Sequence, residues 1–200
     1  MNWNQKLEKL SLRSNKMNDL LKSLHWLPQP FAITTNLDDY HFLRLAYMHG
    51  NATSPDPSTK NGAVLVSKKH KIIAYATNRF PTGIAEIESR LDNRPIKYRM
   101  VVHAEHGAIL NAARNGKSTN ETILYCPFYA CSECAKSIIQ AGIQRVIGHA
   151  QIMAIGATHN TWIQSIKYGW EMMQEAGVEC VLFNGIFGIT ARFNYKDIAI

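Results

Sequence analysis

The feature that most constrains this chain is a pair of short segments remote in sequence. One is His103-Ala104-Glu105, heading an apolar stretch, and the other is Cys131-Ser132-Glu133-Cys134, heading a second. Catalytic zinc usually keeps three protein ligands and leaves its fourth tetrahedral position to water, whereas structural sites fill all four. His103, Cys131 and Cys134 supply three. Glu105, just past His103, is not needed as a ligand and is well placed to exchange protons with water at the metal, which makes it the candidate general acid and base. Taken alone, a Cys-x-x-Cys is equally compatible with a redox pair or two buried thiols, and a His-x-Glu arises by chance on many helices.

The two segments together match the zinc-deaminase pattern, an H-x-E followed by a P-C-x-x-C, and the chain resembles the cytidine and deoxycytidylate deaminase family from about Asp39 to Val181. The matching blocks run in the family's order. They are Ser58-Thr59-Lys60-Asn61-Gly62-Ala63-Val64-Leu65-Val66, then Asn78-Arg79-Phe80-Pro81-Thr82-Gly83, then Val102 to Ile109, then Cys131 to Val146. The last is most similar to deoxycytidylate deaminases.

The resemblance implies a Zn2+ cofactor and hydrolytic deamination of a cytosine nucleotide, dCMP to dUMP with release of ammonia. Zinc-activated water would be the nucleophile and Glu105 the proton shuttle. It further implies that the backbone at Ala104 contacts the base, that Asn78 holds the sugar or base edge, and that Arg79 and Tyr129 border the same pocket. Two positions depart from the family. Ala130 replaces the proline that usually precedes the first cysteine, and Gly107 stands where many members have asparagine, which implies a change in what the helix presents to substrate. Two other readings stay open: a zinc deaminase of another amino-heterocycle (a nucleoside, a purine base or a modified nucleotide), and a non-catalytic module whose zinc is structural.

The chain of 200 residues, 46% hydrophobic, is long enough to bury a substantial core in one domain. Its formal charge is +7, of which the first 24 residues carry +3. That excess suits a phosphorylated small-molecule substrate. Basic and aromatic residues are not interleaved as nucleic-acid binding would require. Four cysteines without an N-terminal apolar signal point to a reducing compartment, so the expected location is cytoplasmic. No window approaches the length of apolar sequence that a membrane helix needs. Cys126 and Cys180 sit in apolar runs and read as core thiols.

Strands and helices alternate along the chain. A helix over about Asp39 to His49 precedes a hairpin of strands Gly62 to Ser67 and Ile72 to Thr77. Then follow a helix Val102 to Asn115, a strand Thr122 to Pro127, a helix Ser132 to Ala141, a strand Gln144 to Gly148, a helix Thr161 to Glu175 and a strand Val178 to Phe183. Five strands so arranged make an α/β fold, a three-layer α/β/α sandwich on a mixed sheet. Both signature segments then open helices, whose partial positive ends favour thiolate ligands.

The connection from Asn78 to about Val101 is unusually long and carries Arg79, Arg90, Arg94, Lys97 and Arg99, so a nucleotide phosphate is expected near it. Residues 1–35 read as an N-terminal helical extension and 36–200 as the deaminase domain. Trp3, Leu7, Leu10, Ser14, Met17, Leu21 and Leu24 keep heptad spacing, and Pro28 and Pro30 end the segment. The extension either packs on its own domain or serves as an oligomerisation arm. By analogy with the family a homo-oligomer is expected. Residues 186–200 show no clear periodicity.

Overall fold

The structure is a computed structural model that describes residues 19–20, 22–156 and 160–200. Most of the expected heptad lies outside the described residues; its last position, Leu24, is fully buried together with Leu27 in the main core.

The elements run β1 (Ala32–Thr34), α1 (Leu37–Thr53), β2 (Gly62–Val66), β3 (Ile72–Thr77), α2 (Glu88–Leu91), α3 (Arg94–Met100), α4 (Ala104–Arg114), β4 (Ile123–Tyr125), α5 (Ser132–Gln140), β5 (Arg145–His149), α6 (Ala150–Gly156), α7 (Asn160–Glu175), β6 (Glu179–Phe183), β7 (Thr190–Phe193) and β8 (Lys196–Ala199). The main sheet has the order β1-β6-β5-β4-β2-β3. Strand β2 is antiparallel to both β3 and β4, while β4, β5, β6 and β1 are mutually parallel.

Alternation along the strands builds the three layers, because successive side chains point to opposite faces. Ala63 and Leu65 of β2, Leu124 of β4, Val146 of β5 and Leu182 of β6 face the core shared with α4, α5 and α7. Their neighbours Val64, Val66, Tyr125, Ile147 and Val181 face α1 through Phe42, Leu43, Ala46 and Tyr47. Strands buried on both faces read as unbroken apolar runs, as these do.

Four features depart from the sequence reading, one of them the short helix α6, which follows β5 directly. The sheet has six strands rather than five. The added strand, β1, spans three residues just before the expected boundary at 35/36 and takes its identity from parallel pairing with β6. The connection from 78 to 101 holds α2 and α3; Asn93 caps α3 by accepting from the Ile96 amide at 3.3 Å, and Pro95 lies in its first turn. Residues 190–199 form the β7–β8 hairpin, turned by Asn194 and Tyr195 at φ 49° and 64°. That hairpin docks on the loop after α1, with Tyr195 N–H donating to Ser58 O at 2.8 Å and Lys60 N–H to Arg192 O at 3.1 Å.

Candidate active site

His103 and Cys131 are the N-cap residues of α4 and α5. Both have extended backbones, at φ −67° and −72°, and neither side chain makes a capping hydrogen bond. The two side chains are therefore free for other partners at the positive ends of two helices. A β-bridge between Arg79 and Val102 pins the approach to α4, with N–H···O distances of 3.1 and 2.8 Å.

The helices bring His103, Cys131 and Cys134 together, with all three candidate ligand atoms within 4.8 Å of one another. His103 Nδ1 lies 3.4 Å from each sulfur. Around a tetrahedral zinc, bond lengths near 2.0–2.1 Å to nitrogen and 2.3 Å to sulfur separate such ligand atoms by about 3.5 Å, so the cluster fits that ion. Its electrostatics agree. The Cys131 thiol is held down to about 4, first by its hydrogen bond with Cys134 and then by His103. Cys134 is pushed strongly upward by the hydrogen bond it shares with Cys131. Two thiols and an imidazole so arranged share protons that a cation would displace.

Glu105 lies in the first turn of α4 and is 3% exposed. Burial raises it to about 7, offset in part by the nearby His103. Beside it opens a cavity of about 160 Å³. One wall is polar, with Asp56, Ser58, Asn61, Asn78 and Lys97; the other is apolar and largely aromatic, with Trp26, Phe128, Trp162 and Phe193 among its residues.

Ala104 and Tyr129 line this cavity, as does Asn78. The Asn78 side-chain amide is engaged by the loop after α1: Oδ1 accepts from Ser54 Oγ at 2.7 Å and from the Asn61 amide at 2.9 Å, while Nδ2 donates to Thr59 O at 2.8 Å. The Tyr129 hydroxyl turns into the sheet, donating to Val146 O at 3.2 Å. Arg79 is not among the lining residues and forms a forked pair with Glu86, at 3.1 and 2.9 Å. Gly107 faces the sheet instead of substrate. A Cβ there would lie 2.9 Å from Ala76 Cβ of β3, so absence of bulk against the strand accounts for this position.

The long connection contributes one cation to the cavity, Lys97, whose ammonium donates to Asp56 Oδ1 at 3.1 Å and to Ser58 Oγ at 2.7 Å. Arg94 instead bonds Asn194 Oδ1 at 2.9 Å, and Arg90 bonds Ala85 O at 3.3 Å. Sequence reasoning did not single out Trp26, Asp56, Trp162 or Phe193, because each reaches the cavity from an element distant in sequence. Among the described residues, no helix is long and apolar enough to cross a membrane.

The model of the cytidine and deoxycytidylate deaminase zinc-binding region matches residues 37–159. An uncharacterized deaminase from the luxG 3′ region of Aliivibrio fischeri is 34% identical over 138 residues, 69% of this chain and 88% of that protein. The deoxycytidylate deaminase of Mus musculus is 36% identical over 123 residues, 55% of this chain and 66% of that enzyme, so the chain spans just under two thirds of its length. The crystal structure of dCMP deaminase from the cyanophage S-TIM5 shares the fold, with a TM-score of 0.54 at 23% identity over 72% of this chain and 95% of that one. Zinc is the ion this region binds, and the matched region spans the helices that carry His103, Glu105, Cys131 and Cys134. The chain belongs to the cytidine and deoxycytidylate deaminase family.

Proposed function

We propose that the protein catalyses hydrolytic deamination of a cytosine nucleotide, dCMP to dUMP with release of ammonia. The observation that carries this reading is the buried Glu105 carboxylate beside a three-ligand cluster on a cavity that Glu105, His103 and Cys131 all line. Its relatives from Mus musculus and Homo sapiens are deoxycytidylate deaminases. Zinc, when held by His103, Cys131 and Cys134, supplies a Lewis acid that lowers the pKa of water toward neutrality.

Glu105 takes a proton from the attacking water and delivers it to N3 of the cytosine ring as the water oxygen adds to C4. It then carries a second proton to the amino group, which leaves as ammonia while the C4 carbonyl forms. A carboxyl raised to about 7 suits both directions of transfer near neutral pH. Ala104, at the first turn of α4, borders the space for the base edge, and the aromatic wall excludes water from the reacting centre. Asn78 acts on the substrate indirectly, by holding the loop that carries Asp56 and Thr59.

A second reading has one observation in its favour. Lys97 is the only lysine or arginine among the described lining residues, and it is already paired with Asp56, while much of the wall is aromatic. Such a cavity suits an unphosphorylated amino-heterocycle, since a phosphate dianion calls for cations free to meet it.

The test is ammonia release by the zinc-loaded protein from dCMP, CMP, deoxycytidine, cytidine and a purine panel, with Glu105→Gln as control. Preference for dCMP, reduced on the order of 10²–10⁴-fold in the variant, supports the main reading. Preference for deoxycytidine or a free base selects the second.

A further inference from the structure

We propose that Phe193, on the C-terminal hairpin, is a specificity-determining residue: with Phe128 it forms the surface on which the flat ring of the substrate stacks. The role rests on the deaminase reading. The two phenyl rings lie nearly parallel, with centroids 5.0 Å apart and planes 23° from one another. Both line the cavity that His103 and Glu105 also line.

Phe193 reaches the cavity through a strained turn. It closes β7, and Asn194 and Tyr195 then reverse the chain at φ 49° and 64°, a region that tyrosine rarely enters. Such strain persists where the surroundings impose it. Here the tip is held from two sides. Asn194 N–H donates to Thr59 Oγ1 at 3.2 Å and Arg192 Nε to Pro57 O at 3.1 Å. Asn194 Oδ1 accepts from Arg94 at 2.9 Å, and the Tyr195 hydroxyl donates to Asp92 Oδ1 at 3.4 Å. The tip thereby joins the loop after α1, which supplies Asp56 and Ser58 to the cavity, to α3, which supplies Lys97.

Packing of the C-terminal segment does not account for Phe193. Phe187, from the same segment, is 4% exposed and meets the rings of Tyr40, Tyr47 and Phe183 at 5.0, 5.4 and 5.2 Å in the core beneath α1, so it already fastens the segment to the domain. Phe193 and Phe128 are half-buried on the cavity instead. An amino-heterocycle calls for apolar contact on its faces and polar partners at its edge. The phenyl pair meets the first need and the polar wall the second. The zinc-binding region matched to the family ends at residue 159, so Phe193 adds to the site from beyond it.

Stacking holds the ring before C4 becomes tetrahedral as well as after, so its loss acts on KM more than on kcat. In the zinc-loaded full chain, Phe193→Leu keeps apolar bulk and loses the ring. It should raise KM about 5–100-fold for the compound of the panel above that reacts, with kcat little changed. Phe193→Tyr keeps the ring and should stay near the wild-type KM. Phe187→Leu is the packing control, expected to lower the thermal midpoint and leave KM unchanged. A second readout is NMR of the reaction product bound to each protein: protons lying over a phenyl face move upfield, a shift that Phe193→Leu should lose and Phe193→Tyr keep. Unchanged KM in Phe193→Leu, or equal rises in Phe193→Leu and Phe187→Leu, overturns the stacking role and leaves the deaminase reading intact. Silence of the zinc-loaded wild type across the panel overturns that reading, and the role with it.

Discussion

The Lys97 ammonium lies 3.1 Å from the Asp56 carboxylate, with 3% and 8% of the two side chains exposed, and the pair forms part of the polar wall of the cavity. Asp56 Oδ1 also accepts from the Ser58 amide at 2.8 Å and from Ser58 Oγ at 2.7 Å, so α3 is clamped to the loop after α1. Removing one member of a buried pair leaves the other charge without compensation and costs about 3–5 kcal/mol. Lys97→Met should lower the thermal midpoint by roughly 10 °C in a domain of this size. Arg79→Ala breaks the half-exposed pair with Glu86 and should cost under about 1 kcal/mol by the same measurement.

Loss of the metal should cost stability as well as activity. A ligand at about a thousand times its dissociation constant contributes about 4 kcal/mol to the folded state. A strong chelator is therefore expected to lower the unfolding midpoint of wild-type protein by several degrees. Cys134→Ser should purify with little zinc and show little further response to the chelator, as metal analysis and calorimetry would report.

His149 supplies a pH dependence away from the metal. It is fully buried, and its Nε2 lies 3.0 Å from Gly185 O, so that nitrogen carries the hydrogen while Nδ1 accepts from Tyr47 Oη at 2.7 Å. Burial lowers its pKa from 6.5 to about 4. Between those values the unfolded chain binds more protons than the folded one, so stability rises with pH in that window. The contribution is complete above about 6.5 and is lost as pH falls toward 4, a change on the order of 3 kcal/mol. Denaturant unfolding between pH 4 and 6.5 should show a shallower slope in His149→Gln than in wild type.

Gly62 and Gly50 let α1 lie directly on β2. A Cβ at Gly62 would run into the Ala46 carbonyl oxygen and stand 2.8 Å from Gly50 N, both of them backbone atoms with no rotamer to escape through. Gly62→Ala should therefore cost about 3 kcal/mol or more, visible in the midpoint of denaturant unfolding.

Much of the architecture was legible because it is written in local patterns. The catalytic helix, its partner after Cys131 and the strands β2 to β6 fall within a few residues of where apolar runs, caps and glycines locate them; Gly177 at φ 77°, for example, closes α7. Helix α3 has a readable start in Asn93 and Pro95, but the charges around it mask any apolar periodicity. The β7–β8 hairpin was not readable, since Asn194 and Tyr195 both adopt positive φ without a glycine to announce the turn.

The amino-acid sequence by itself determined the local pairing at the centre: His103 with Glu105, and Cys131 with Cys134, stand at short fixed offsets across the starts of two helices. The tertiary structure decided everything that surrounds that centre. Phe193 arrives on a C-terminal hairpin, Trp26 from before the first strand and Lys97 from α3. Cys126, an apolar-run thiol by its neighbours in the chain, meets Asn61 Nδ2 at 3.2 Å only because β2 and β4 are neighbours in the sheet. Contacts of this kind depend on the register and stacking of distant elements, which the free energy of the whole packed core selects and no local spacing records.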